Sequence, residues 1–169
     1  MNDLNLLEAY LATEIFFFAS DGKRYKTASV ADAGSQMVNE SNLLEMLGRD
    51  VVDLWVITAF NPRSVELDPK TNKTYNAALA ADLSREGIEF NEVHCASPSE
   101  PWSEDSFMVI CRDQAVAETV AATVQKLALK YEQNAVFRIT ADEQQIVPIL
   151  QLRIMGGRKY RLVESPIFG

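Results

Sequence analysis

A polar loop follows an apolar run in residues 57–64, and it supplies the first side chains that could do chemistry. The segment reads ITAFNPRS. The amide of Asn61 and the hydroxyl of Ser64 donate and accept hydrogen bonds but add little to an apolar core. Arg63 adds a positive charge on a chain that is otherwise acidic. Their position at the end of a strand-like run predicts a binding site there.

Three later segments carry further candidates for the same site. Glu104 would be a general acid or base if its carboxyl group were desolvated against Trp102, and Trp102 would give a ligand a stacking face. The complete predicted set is Asn61, Arg63, Ser64, Asn76, Trp102, Glu104 and Gln133. Each member also has a structural explanation, such as a turn at Asn61-Pro62 or a surface salt bridge between Glu104 and Arg63.

Motifs for metal, nucleotide or nucleophile chemistry are missing from the sequence. It contains no HExxH, CxxC, GxGxxG, Walker or GxSxG pattern, and its one histidine, His94, has no partner nearby in sequence. We therefore predict no metal and no cofactor. Cys95 and Cys111 lie in apolar stretches, which favours two buried thiols over a disulfide.

The first part of the chain, residues 1–50, has the pattern of a helix, a short strand and a polar excursion. Leucines three to four residues apart predict a helix over residues 3–14, and residues 15–18 follow as a strand. Residues 20–42 are rich in Ser, Asp, Gly, Asn and Lys, a composition typical of weak structure.

From residue 51 onward, apolar runs alternate with helical patterns. Residues 51–60 form a nearly unbroken apolar run that predicts a central strand. The next predicted elements are a helix over 74–87, strands over 90–96 and 106–111, a helix over 116–131 and a strand over 135–140. Residues 146–155 and 158–163 predict a closing hairpin that turns at Gly156-Gly157.

This order predicts an α+β fold with a ferredoxin-like split βαβ core (βαββαβ). An N-terminal helix precedes the core, and the C-terminal β-hairpin extends the sheet. Residues 1–169 form one domain, in which 51–169 make an α/β sandwich. Six side chains are predicted to be deeply buried: Val56, Ile57, Phe107, Val109, Val120 and Val124.

The predicted topology brings the polar candidates to one edge of the sheet. The first core strand ends there, the third begins there, and the second helix delivers Gln133 to it. The first helix, starting near Thr74, would point its unpaired N–H groups at the same edge, and such groups favour an anion. Lys70 and Lys73 would add positive charge. A small anionic or nucleotide-like ligand is the resulting hypothesis.

Charge and hydropathy restrict the classes of partner. The net charge is -8 and the pI is about 4.7, so direct binding of nucleic acid is not expected, because phosphate contacts need Lys and Arg. No apolar run is long enough for a membrane span, and the start has no basic secretion signal, so we expect a cytoplasmic protein. A protein partner and the oligomeric state stay open.

Several of these segments carry a resemblance to a known family. Four segments are similar to the bacterial domain-of-unknown-function family 3293. They are residues 57–64, the segment that begins at Trp102 with EDSF after it, the run QNAV from Gln133 and the run IVPIL from Ile146. The opening LEAY at residues 7–10 also resembles the start of that family. The resemblance implies a small cytoplasmic domain of bacterial or phage origin, and it implies no catalytic assignment.

Three functions compete at this stage. The first is a binding module for a small anionic or nucleotide-like ligand. The second is an enzyme at the same edge, in which Glu104 is the general acid or base and Asn61 with Gln133 polarises the substrate. The third is an acidic interaction or inhibitor protein, which a phage could encode. The acidic residues form no long run, which argues against this third function.

Overall fold

Eight antiparallel strands close into a barrel in the computed structural model, which describes residues 2–29, 43–99 and 101–165. The strands are β1 (Glu14–Phe18), β2 (Arg24–Ser29), β3 (Asp53–Ile57), β4 (Glu89–Ala96), β5 (Ser103–Cys111), β6 (Ala135–Ile139), β7 (Glu143–Pro148) and β8 (Gly156–Glu164). The helices are α1 (Asp3–Leu11), α2 (Leu43–Leu47), α3 (Pro69–Arg85) and α4 (Ala117–Lys130), with short 3-10 turns at Pro62–Ser64 and Gln114–Val116.

The prediction of a ferredoxin-like α+β sandwich is wrong. The strand order is β1-β2-β8-β7-β6-β3-β5-β4, and β1 pairs with β4 to close the sheet on itself. The element that the sequence analysis missed is β2, which lies inside the predicted polar excursion and pairs with β8 over five residues. The sequence of β2, RYKTAS, is too polar to indicate a strand. Hydrogen bonding to β1 and β8 stabilises this strand more than the hydropathy of its own residues does. Residues 30–42 of the excursion lie outside the described residues.

Two apolar clusters explain the unbroken apolar run at β3. Leu54 and Val56 face a cluster inside the barrel, whereas Trp55 and Ile57 face a cluster beneath α3 and α4. Successive side chains of a strand point to opposite faces, so a strand covered on both faces is apolar throughout. Helices α3 and α4 therefore cover one outer wall of the barrel, which is formed by β3, β5 and β6.

The predicted burial holds for most of the six selected side chains. Val56, Ile57, Phe107, Val109 and Val124 are buried. Val120 is only partly buried and packs at the margin of the outer cluster. Both cysteines, Cys95 and Cys111, are also buried.

The role assigned to Gly156 and Gly157 is also wrong. Both lie in β8, opposite Ile146 and Gln145 of β7, and neither has a positive φ. A Cβ atom on Gly156 would lie 2.7 Å from Leu7 Cδ1, and one on Gly157 would lie 2.4 Å from Glu143 Oε1. The pair therefore allows the close approach of α1 and of a neighbouring side chain, and does not make a turn.

Helix α1 packs against the inner cluster and forms part of the wall of the cavity described below. Leu6 is buried in that cluster, and the Tyr10 ring meets Phe137 of β6 edge-on at 5.7 Å between centroids. Asn2 caps the start of the helix, and its side chain accepts a hydrogen bond from the Asn5 N–H group. Within the described residues, no helix has both the length and the apolar character that crossing a membrane requires.

Candidate functional site

A cavity of about 670 Å³ opens where β3 ends and β5 begins. Helix α1, the 3-10 turn, the start of α3 and the starts of β5 and β6 supply its walls. Five of the seven predicted side chains line it: Asn61, Ser64, Trp102, Glu104 and Gln133. Asn61 and Trp102 therefore lie at the same end of the barrel, although the topology that motivated their grouping is wrong.

Asn61 is held rigidly in the wall of the cavity by Asn72 of α3. The Asn61 backbone N–H donates to Asn72 Oδ1 over 2.8 Å, and Asn72 Nδ2 donates back to Asn61 Oδ1 over 2.8 Å. Asn61 Oδ1 also accepts from the Leu67 N–H at 3.0 Å. Because its oxygen is held by two donors, the amide directs its nitrogen toward Glu104, with Nδ2 and Oε1 3.5 Å apart.

Glu104 points into the cavity from β5. It lies opposite Cys95 of β4, and both side chains belong to the inward-facing set of their strands. Burial raises the pKa of Glu104 to about 7, and the hydrogen bond from Asn61 opposes that rise. Among the described residues, Glu104 forms no ion pair with a lysine, arginine or histidine. The carboxyl group can thus gain or lose a proton near neutral pH.

Tyr10 also lines the cavity, from α1, although it was not among the site residues predicted from the sequence. Burial raises the pKa of its hydroxyl group, the negative charge of Glu104 raises it further, and hydrogen bonds to the Ala135 backbone and the Ser64 side chain oppose the rise. Ser64 Oγ in turn accepts a hydrogen bond of 2.8 Å from Asn134 Nδ2. Ser64 therefore connects α1 to the segment that precedes β6.

Strained backbone is concentrated at this edge of the barrel. The non-glycine residues with positive φ in the described chain are Asn61, Arg63, Ser64 and Glu132, with φ between 47° and 58°. Each such conformation costs about 1–3 kcal/mol, and surrounding contacts must hold it in place. Here the Arg63 N–H donates to the Glu132 carbonyl oxygen over 2.7 Å, so the two strained segments hold each other. Strain of this kind is often found at binding and catalytic sites.

Arg63 does not add positive charge to the cavity. Its Nε and Nη2 atoms both donate to Glu132 Oε1, at 2.9 and 2.6 Å. The side chain is half exposed and is not part of the cavity wall. Glu104 was the partner expected for Arg63 from the sequence, but Arg63 has a left-handed backbone conformation and its guanidinium group contacts Glu132.

The start of α3 is already capped and does not provide the predicted anion site. The helix begins at Pro69, five residues before the predicted start at Thr74. Asp68 accepts hydrogen bonds from the Thr71 N–H at 3.0 Å and from the Thr71 hydroxyl group at 2.5 Å, and its backbone oxygen accepts from Asn72. Pro69 has no N–H group to offer. An internal carboxylate thus occupies the place that an anionic ligand would need.

Asn76 has a structural role beside the cavity. It is buried, and it lines a neighbouring groove of about 700 Å³ on the outer surface. Its Oδ1 accepts from the Ala59 N–H at 3.0 Å, and its Nδ2 donates to the Asp105 carbonyl oxygen at 3.1 Å. It therefore ties α3 to the end of β3 and to β5, and the structure does not place it among the cavity residues.

We expect Asn76→Ala to lower the free energy of unfolding by about 1–3 kcal/mol, because it leaves a buried N–H group without its hydrogen-bond partner. Chemical denaturation with the fluorescence of the two tryptophans would measure the loss. Asn91→Ala, which shortens an exposed side chain of β4, is the matched control and should change stability by less than about 0.5 kcal/mol. Equal losses in the two variants would contradict the role given to Asn76.

Gln133 contributes part of the wall but not a free donor. Its Nε2 donates to the Phe60 carbonyl oxygen at 3.0 Å and to the Tyr131 carbonyl oxygen at 3.1 Å. This fastens the loop after β3 to the end of α4.

Asn72, like Tyr10, was missed, although its spacing of four residues before Asn76 puts both amides on one face of a helix.

An aspartate and a histidine meet at the rim of the cavity. His94 Nδ1 lies 3.2 Å from Asp105 Oδ1, and the two residues are direct neighbours across β4 and β5. Both also line the outer groove. In the described ranges, no three His, Cys, Asp or Glu side chains come close enough to hold a metal ion.

The fold and site define a closed antiparallel barrel with a polar-lined cavity at one end. The family model for a protein of unknown function (DUF3293) matches residues 57–136, and this confirms the resemblance noted above. The matched segment runs from the end of β3 to the start of β6. A search of curated proteins found no match.

Proposed function

We propose that the cavity binds a small organic molecule that exchanges a hydrogen bond or a proton with Glu104. The observation that carries this proposal is a carboxyl group with a pKa of about 7 inside a cavity of about 670 Å³. Small-molecule sites commonly have volumes of about 300–1,000 Å³. A desolvated carboxyl group without a cationic partner costs folding free energy, and such groups are concentrated at functional sites.

The walls of the cavity suit a ligand with an apolar body and one polar end. Val56, Ala135 and Phe137 provide buried apolar surface, and Trp102 provides a partly buried aromatic face. Glu104 and the Asn61 amide converge on one side of the space. An apolar wall with a few convergent polar groups is the usual composition of a ligand site.

A thermal-shift screen with neutral, cationic and anionic metabolites would test the proposal. A ligand at about 100 times its Kd adds about 2.7 kcal/mol to the stability, a shift that is easily measured. Compounds that stabilise the wild-type protein should lose most of their effect in Trp102→Ala. They should keep it in Phe18→Ala, which removes an exposed ring of β1 away from this cavity. The absence of any stabilising compound, or equal shifts in the wild type and Trp102→Ala, would contradict the proposal.

A second candidate function is catalysis by Glu104 as a general acid or base. The observation in its favour is that a pKa of about 7 matches the pH at which proton transfer is most effective. Asn61 could polarise a substrate, whereas the nitrogen of Gln133 is already bound to two carbonyl oxygens. For a compound found in the screen, Glu104→Gln should then abolish turnover even at concentrations of the compound that saturate the variant. Turnover that survives this change would reject the enzyme hypothesis.

A further inference from the structure

Within the proposed binding function, on which this inference rests, we infer that the cavity takes a ligand with a cationic nitrogen, an amine or an amidine, and not an anion. The inference concerns only the class of ligand. It follows from the charges that line the cavity, from the groups already used in internal contacts, and from the aromatic walls.

Carboxylates outnumber cationic groups around the cavity. The described lining residues include Glu66, Glu104 and Asp105, against a single lysine, Lys73. Asp105 is shared with His94 through the contact of 3.2 Å. Glu66 and Glu104 form no ion pair in the described part of the chain. Glu66 is exposed to solvent, so the charge that is left for a ligand to compensate is that of Glu104. An anionic ligand would meet repulsion at the same place.

The groups that would have held an anion are engaged elsewhere. The guanidinium group of Arg63 is paired with Glu132. The first turn of α3 is capped by Asp68 and begins with a proline. The remaining cation, Lys73, is exposed on α3 and also lines the outer groove. The sequence predicted a positively charged site, whereas most of the charged side chains that line the cavity of the folded protein are carboxylates.

Aromatic side chains give a cation a second source of attraction. Trp102, Tyr10 and Phe60 all line the cavity, which also contains the Glu104 carboxyl group. The face of an aromatic ring attracts an ammonium or amidinium group, most strongly for tryptophan and after desolvation. A carboxylate together with aromatic faces therefore suits an organic cation better than a neutral or anionic molecule of the same size.

Benzylamine, benzyl alcohol and benzoate test the inference, because they share a ring and differ in charge. Their affinities would be measured by protein-observed NMR titration at a pH of about 8, where Glu104 is mostly ionised and benzylamine mostly protonated. We expect benzylamine to bind at least about tenfold more tightly than benzoate. Glu104→Gln should weaken benzylamine binding about tenfold or more and leave benzyl alcohol within about twofold. Lys73→Gln, the matched neutralisation of a cation, should leave benzylamine binding equal or tighter.

Two results would overturn the inference: benzoate binding as tightly as benzylamine, or unchanged benzylamine affinity in Glu104→Gln. Failure to detect benzylamine at millimolar concentration would also overturn it. If benzyl alcohol or benzoate binds instead, and Trp102→Ala removes that binding, the ligand class is wrong but the cavity is still a binding site. If the metabolite screen also yields no ligand, the proposed function fails with it.

Discussion

Replacing Phe107 with alanine is expected to lower the free energy of unfolding by about 3–5 kcal/mol. The ring is 5% exposed and lies on the outward face of β5, in the cluster beneath α3 and α4. It meets the Phe90 ring edge-on, with 5.2 Å between centroids. Removing it opens a cavity where strand and helix meet, so both the transfer free energy and the packing contacts are lost. Equilibrium unfolding in urea would measure the change.

Phe18→Ala is the matched control for this experiment. Phe18 is 58% exposed at the end of β1, so the same deletion removes little buried surface there and should cost less than about 1 kcal/mol. A loss below about 1 kcal/mol in Phe107→Ala would mean that β5 does not carry this ring into the outer cluster.

Glu104→Gln is expected to stabilise the protein at alkaline pH and to have little effect at acidic pH. The ordinary glutamate pKa of 4.5 is raised to about 7 in the folded state, so folding favours the protonated form. The stability that this protonated group contributes is complete below a pH of about 4.5 and is lost as the pH rises through about 7. Glutamine stays neutral and avoids the loss, which amounts to at most about 3 kcal/mol at a pH of about 8.

Urea unfolding at several pH values between about 4 and about 8 would test this expectation. The wild type should lose stability relative to Glu104→Gln across that interval, and the two should converge at the acidic end. Glu118→Gln, an exposed carboxyl group in the first turn of α4, should follow the wild-type pH dependence. A constant difference between wild type and Glu104→Gln at every pH would show that the pKa of Glu104 is not raised by folding.

The sequence predicted the position of the cavity better than it predicted the fold. Asn61, Trp102 and Glu104 were grouped correctly because β6, β3, β5 and β4 lie side by side, so the chain segments that flank them meet at one end. The closure of the barrel was missed because β2 is a polar strand whose stability comes from its neighbours. Pairing over more than a hundred residues of sequence, as between Thr27 and Leu162, leaves no local pattern to detect.

Local charge patterns were a poor guide to the electrostatics of the site. The basic residues near Asn61 suggested an anion site. In the folded chain, however, Arg63 forms a salt bridge with Glu132, and Asp68 caps the start of α3. Neither partner could be chosen from sequence, because Glu132 lies 69 residues from Arg63 and depends on two left-handed backbone conformations. The hypothesis of an acidic interaction or inhibitor protein stays a prediction, as does a cytoplasmic location.

The closed order of the strands also limits how another protein can bind this one. Each of the eight described strands has a hydrogen-bonded neighbour on both sides, so none has an edge that is free along its whole length. Recognition by addition of an extended peptide to a sheet needs such an edge. The same closure protects against edge-to-edge aggregation without the charged or proline-bearing edge strands that open sheets require. A partner would therefore contact mainly side chains on the helices, loops or barrel wall, because the closed order leaves only short unpaired stretches of strand, such as residues 89–93 of β4.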